Sequence, residues 1–80
     1  MDAKELRKRL TEVFRDVFDD DSIVITADTT ADDIEDWDSI EHITLIGAVE
    51  DEFRMKFKMG EVSGMNNVGV MMKIIAARGK

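Results

Sequence analysis

Leu6, Leu10, Val13, Phe14 and Val17 fall at i, i+4, i+7, i+8 and i+11, the spacing of one helical face. Lys4, Arg7, Lys8, Arg9 and Arg15 lie largely off that face, so the pattern predicts a first helix that packs on a core and carries a solvated basic side. Asp19, Asp20 and Asp21 close it. Residues 19–37 then make a connection longer than the about 12–15 residues usual in compact domains. Ile23, Val24, Ile25 and Ile34 within it predict an ordered loop laid over the helices. A second reading makes Ile23 to Ile25 a strand paired with Met55-Lys56-Phe57-Lys58-Met59, which alternates with period two. An isolated two-stranded ribbon is marginal in water, so the all-helical reading ranks first.

Past the loop, Ile43, Ile46, Val49 and Phe53 recur at helical spacing, with no Gly or Pro before Gly47. Asp38 is the natural N-cap, and Glu41 at N3 completes an Asp-headed capping box. Ser39 is then the first helical residue, its hydroxyl among unsatisfied backbone donors at the positive end of the helix dipole. On a wheel of about 100° per residue, Leu45, Ile46, Val49 and Phe53 share the core face. Ile40 and Gly47 point the other way, flanked by Thr44 and Asp51, with Ile43 and Glu50 at one margin. His42 falls on the core side, as a partly buried spacer beside the serine. Gly60 is expected to break the chain, Glu61 to Met65 to form one short helical turn, and Asn66 or Asn67 to cap a last helix. Val68, Met71, Met72 and Ile75 give that helix a Met-rich, readily repacked inner face.

Composition narrows the class. Eighty residues predict one domain, 1–80, with a small core. There is no Cys, hence no disulfide and no thiolate metal site, and no apolar run approaches the about 20 residues of a membrane span. No apolar leader is read at the start, so the expectation is a cytoplasmic protein without a resident metal. The net charge of −7 is unevenly spread: residues 16–53 hold 14 acidic side chains and no Lys or Arg, while all 11 bases lie outside. Such a middle repels phosphate backbones, which excludes nucleic acid as a partner and favours basic protein surfaces. It also predicts that salt, divalent ions or mild acid stabilise the domain by damping repulsion.

Three chemistries compete at residues 38–42. Asp38, Ser39 and His42 hold the side chains of a hydrolytic triad, but three residues at one helix start supply neither an oxyanion hole nor a substrate pocket. A calcium loop needs Gly at its sixth position, and there is no Gly between residues 1 and 46. An acidic helical adaptor explains the charge but leaves the Asp38-Ser39 placement without use.

The ordered set Asp38-Ser39-Ile40, followed without a gap by Glu41 to Phe53 and including Glu50-Asp51-Glu52-Phe53, resembles the acyl carrier protein family. More loosely the resemblance covers nearly the whole chain, as helix, long loop, helix, short helix, helix. It implies an all-α four-helix bundle, with three longer helices and one short one. It implies that Ser39 bears a covalent 4′-phosphopantetheine derived from coenzyme A, with Asp38 as its motif partner, and that acyl groups travel on the arm as thioesters. Asp38, Ile40, Glu41, Ile43, Thr44, Gly47, Glu50 and Asp51 occupy the family's recognition face. The implied partners are a phosphopantetheinyl transferase, an acyl-loading ligase or acyltransferase, and a ketosynthase or other acyl-processing enzyme. The protein itself is then a freestanding, non-catalytic monomer. Asp36 and Trp37 replace the family's frequent Gly and small or apolar residue before the serine, and Ile40 replaces Leu. Thr44 and Gly47 stand where fatty-acid carriers commonly hold Glu and Met. These departures favour a specialised acyl pathway over bulk fatty-acid synthesis; an aminoacyl or peptidyl carrier shares the same serine.

Overall fold

Asp2 starts the first helix, its carboxylate accepting the Glu5 N–H at 2.8 Å. In the computed structural model, which describes residues 1–80, the chain forms α1 (Ala3–Phe18), α2 (Ser39–Phe53), α3 (Met59–Ser63) and α4 (Val68–Arg78), with one 3₁₀ turn at Ala31–Asp33 and no strand. This is the expected all-α, four-helix architecture. α1 buries Leu6, Leu10, Val13, Phe14 and Phe18. Val17, expected in that row, is only half-buried, and Phe18 takes the last core place before Asp19 turns the chain in the left-handed region (φ 50°). The basic side of α1 is not simply solvated. Arg15 donates from Nε to the Ile23 carbonyl at 2.9 Å, holding the long connection, and Arg9 reaches across to the end of α2.

The connection is ordered, as its apolar residues required, but only alternate ones turn inward. Ile23 and Ile25 are buried, whereas Val24 is 73% exposed. An extended backbone alternates sides, so three consecutive residues cannot all cover the helices. No ribbon forms: the Phe57 N–H goes to the Glu50 carboxylate at 2.8 Å instead of to a strand partner. Farther along, the loop caps the last helix. The Thr29 carbonyl accepts the Val68 N–H (2.8 Å) and the Ala27 carbonyl accepts the Gly69 N–H (2.9 Å), satisfying donors that a helix start leaves open. Gly69 permits that approach, since a Cβ there would lie 2.8 Å from the Ala27 oxygen.

The core is one cluster. Leu45, Ile46, Val49 and Phe53 of α2 meet the α1 row and Val68, Met71 and Ile75 of α4. Met55, brought inward after a left-handed turn at Arg54 (φ 52°), and Trp37 complete it. α3 begins two residues earlier than expected and carries Gly60 inside it. The Glu61 carboxylate accepts the Lys58 N–H at 2.7 Å, so an acidic group three residues into the helix sets its start, and the glycine does not break it. Asn67 caps α4 through the Val70 N–H at 2.9 Å.

Candidate functional site

The N-terminal end of α2 presents Ser39 as an exposed first helical residue. Asp38 caps the helix, accepting the Glu41 N–H at 2.8 Å. The expected capping box is only half formed. The N–H of Asp38 bonds the Asp36 carbonyl at 3.0 Å in a tight turn, so the Glu41 carboxylate is not drawn back to it. The first helical bond, from the His42 N–H to the Asp38 carbonyl, is 2.8 Å.

Behind the serine lies an aromatic wedge. Trp37 is buried, edge-on to Phe14 (centroids 5.3 Å apart, planes at 84°) and 6.3 Å from Phe18. Its indole N–H donates to His42 Nδ1 at 3.0 Å, and the two rings stack with centroids 5.8 Å apart. His42 Nε2 faces the Val62 carbonyl of α3 at 3.3 Å. Both imidazole nitrogens are thus engaged, neither with Ser39, which removes the base that a hydrolytic triad requires. Trp37, Ser39, His42, Val62, Met65 and Asn66 are among the residues that line a surface cleft of about 440 Å³ opening beside the serine hydroxyl.

The predicted recognition face is only partly one surface. Ile40 and Ile43 are 75% and 65% exposed, with Thr44, Gly47 and Asp51 also open to solvent. A Cβ at Gly47 would meet no atom within 4 Å, so packing within the protein does not require glycine there. Glu41 is half-buried. Glu50 is half-buried too, and is turned to the α2–α3 connection, where it accepts the Phe57 N–H and lies 3.8 Å from Lys56 Nζ. Met59, 86% exposed, is a further bare apolar side chain that periodicity did not single out. The Trp37–His42 pair was also missed as a unit. Its signal was a lone tryptophan in an acidic loop, a side chain whose large apolar area seldom stays in water.

Two carboxylates titrate below their ordinary range, and both belong to the scaffold. The Ser22 hydroxyl and N–H hold Asp20 down, and Glu61 is held down by the Arg78 guanidinium and the Lys58 N–H. No family model matches the chain, and no curated protein matches it. Among solved structures, the solution NMR structure of a holo acyl carrier protein from Geobacter metallireducens is 43% identical and superposes with a TM-score of 0.85, covering 90% of this chain and 83% of that one. With that identity over that share of both chains, and with an exposed serine after a capping aspartate at the head of α2, the chain belongs to the acyl carrier protein family.

Proposed function

We propose that the chain, as a single domain over residues 1–80, carries acyl groups between separate enzymes and is itself modified at Ser39 by 4′-phosphopantetheine. The observation that carries this reading is the exposed Ser39 hydroxyl at the first position of α2, beside a cleft. The site fits the group on three counts. The hydroxyl is accessible to a partner's active site, the helix N-terminus favours a phosphodiester anion, and the cleft offers Trp37, Val62 and Met65 as an apolar floor. When bound, the group supplies a terminal thiol that holds acyl chains as thioesters.

In the loading step Ser39 Oγ forms a bond to the phosphorus of coenzyme A's pantetheine phosphate while the phosphoanhydride bond breaks and adenosine bisphosphate leaves. The hydroxyl proton goes to the partner transferase, which supplies positioning and metal-assisted charge stabilisation. His42 is engaged by Trp37 and Val62 and takes no proton here. The chain is therefore acceptor and carrier, not catalyst. Asp36, Asp38 and Glu41 lie within three residues of Ser39 and oppose a phosphodiester, turning the arm outward from the helix start.

The partner face is Asp38, Ile40, Glu41, Ile43, Thr44, Gly47 and Asp51, with Glu50 at its inner margin, where it acts first as a tether of the α2–α3 connection. Its sign suits basic enzymes: the transferase, an acyl-loading ligase or acyltransferase, and a ketosynthase or similar processing enzyme. The open space over Gly47 supports a specialised acyl pathway, because the helix tolerates a residue costing about 1 kcal/mol relative to Ala with no internal packing reason; the setting proposed for it is the cytoplasm.

Intact mass after incubation with coenzyme A, magnesium and a promiscuous phosphopantetheinyl transferase tests the reading. The native chain should gain one phosphopantetheinyl group and Ser39→Ala none. No gain in the native chain, or an equal gain in both, returns the acidic adaptor to first place.

A further inference from the structure

His42 joins three pieces of the site and uses both ring nitrogens to do so. The indole N–H of Trp37 is only a donor, so Nδ1 at 3.0 Å is the acceptor and carries no proton. The neutral ring then holds its proton on Nε2 and donates it to the Val62 carbonyl at 3.3 Å. One bond reaches back to the residue two before Ser39, and the other crosses to α3, a helix of only five residues. The other side-chain tie from the body of the bundle to α3 is the ion pair of Arg78 with Glu61. Trp37, His42 and Val62 also line the cleft beside Ser39.

We infer that His42 is a proton-operated latch that holds α3 against the N-terminal end of α2 and sets how far the cleft beside Ser39 opens. In the neutral ring both bonds are made. A proton added at Nδ1 occupies the lone pair that Trp37 uses and leaves two N–H groups facing each other. Trp37 is buried against Phe14 and Phe18 and cannot retreat, so the imidazolium swings off its stacked position over the indole and draws Nε2–H away from the Val62 carbonyl, giving up a bond that charge would otherwise strengthen. The charged groups on the elements around it are mostly acidic. α2 offers Asp38 and Glu41, and the preceding connection offers Glu35 and Asp36. α3 offers Glu61, already held by Arg78 of α4, with Lys58 at its start. α1 meets Trp37 through the uncharged Phe14 and Phe18. Acids outnumber bases there, since Arg78 is already paired with Glu61, so a freed imidazolium meets little repulsion.

The geometry sets the sign: both bonds need an unprotonated Nδ1, so the latch is closed with the neutral ring and opens when the ring gains a proton. This is opposite to the response expected from the charge division, in which mild acid relieves repulsion among the acids of residues 16–53. The latch geometry stands without an arm on Ser39; its meaning as a gate on the cleft rests on the carrier reading.

The chain has one His and one Trp, so each signal is unambiguous. The experiment is NMR on the full chain, unmodified and phosphopantetheinylated, from about pH 8 to about pH 5, the span in which histidines change charge. It follows the imidazole nitrogens, the Trp37 indole N–H, and hydrogen exchange of the Val62 and Gly64 amides, which bond the Lys58 and Gly60 carbonyls. Exchange is normalised to the intrinsic rate at each pH. His42→Gln keeps an amide acceptor and donor but does not titrate.

The expected result is the Nε2–H tautomer at the upper end, then an indole shift and roughly tenfold faster exchange in α3 on acidification, the scale of losing one such bond. His42→Gln should show neither change. An Nδ1–H tautomer at neutral pH, or a His42→Gln chain that follows the wild-type course, overturns the latch. A chain that accepts the arm yet shows no His42-dependent change also overturns it. A chain that shows the change but accepts no arm upholds the latch and overturns the carrier reading instead.

Discussion

The two ends of α2 are built from the same kinds of residue and do opposite things. At its C-terminal end Arg9 crosses from α1 and closes the helix end. Nε meets the Glu52 carboxylate at 2.7 Å, and Nη2 meets the Glu52 carbonyl at 2.7 Å and the Lys80 carbonyl at 3.1 Å. The guanidinium carbon also lies 4.6 Å from the Phe53 ring centroid. The Lys80 N–H returns to the Phe53 carbonyl at 2.8 Å, so orphaned carbonyls at a helix end are satisfied. At the N-terminal end no base lies nearby in sequence, Asp36, Asp38 and Ser39 face solvent, and Ile40 and Ile43 are bare. One long cation stitches three segments shut at one end; short carboxylates leave the other end open to a visitor. The closing contacts gather where a cation is present, and the candidate site lies where charge of one sign is left without one.

The sharpest break of this comparison is Phe53→Ala against Ile40→Ala. Phe53 is fully buried, and its loss should cost about 3–5 kcal/mol in urea unfolding, whereas Ile40→Ala should stay within about 0.5 kcal/mol. Equal costs would mean that the open end matters to the fold as much as the tied one. Next is Arg9→Ala, which should lower stability by about 2 kcal/mol, mostly from the bonds to the two carbonyls and the contact with Phe53. The ion pair itself is partly exposed and worth under about 1 kcal/mol, so Glu52→Gln should cost less than half as much. If Glu52→Gln costs the same as Arg9→Ala in parallel urea titrations, the clasp is an ion pair and not a backbone staple. The smallest effect is a gain. Gly47→Ala should raise the unfolding free energy by about 0.5–1 kcal/mol in the same titration, because the new methyl group meets open space in a helix that glycine weakens. A loss of stability on that substitution would place Gly47 in a contact within the fold and take it off the open face.

Periodicity alone placed α1, α2 and α4 and the core face of α2, because a helix reads its burial from spacing within a few residues, while the cap of α4 stayed open between Asn66 and Asn67 until the Val70 N–H chose Asn67. It failed where the deciding partner is distant in sequence. Val24 was expected inward with its neighbours, yet nothing local says which side of an extended loop meets a helix. Glu50 was placed at the margin of the outer face, and its carboxylate turned to the Phe57 N–H, seven residues on. α3 came two residues early because Glu61 settled its start through the Lys58 N–H, a choice between overlapping caps that a single glycine does not decide.

The sequence by itself determined the helix faces, the charge division and the position of Ser39 at a capped helix start, since each depends on residues within one or two turns. The family resemblance also lay in that contiguous stretch. Only the tertiary structure decided that Arg9 spans 43 and 71 residues to bind Glu52 and Lys80, and that His42 spans 20 to reach Val62 behind the serine. The physical reason is directional chemistry across long loops. Hydrophobic burial is read from a pattern because any apolar neighbour satisfies it, whereas a hydrogen bond needs one atom at one angle, and chain separation hides which atom that is.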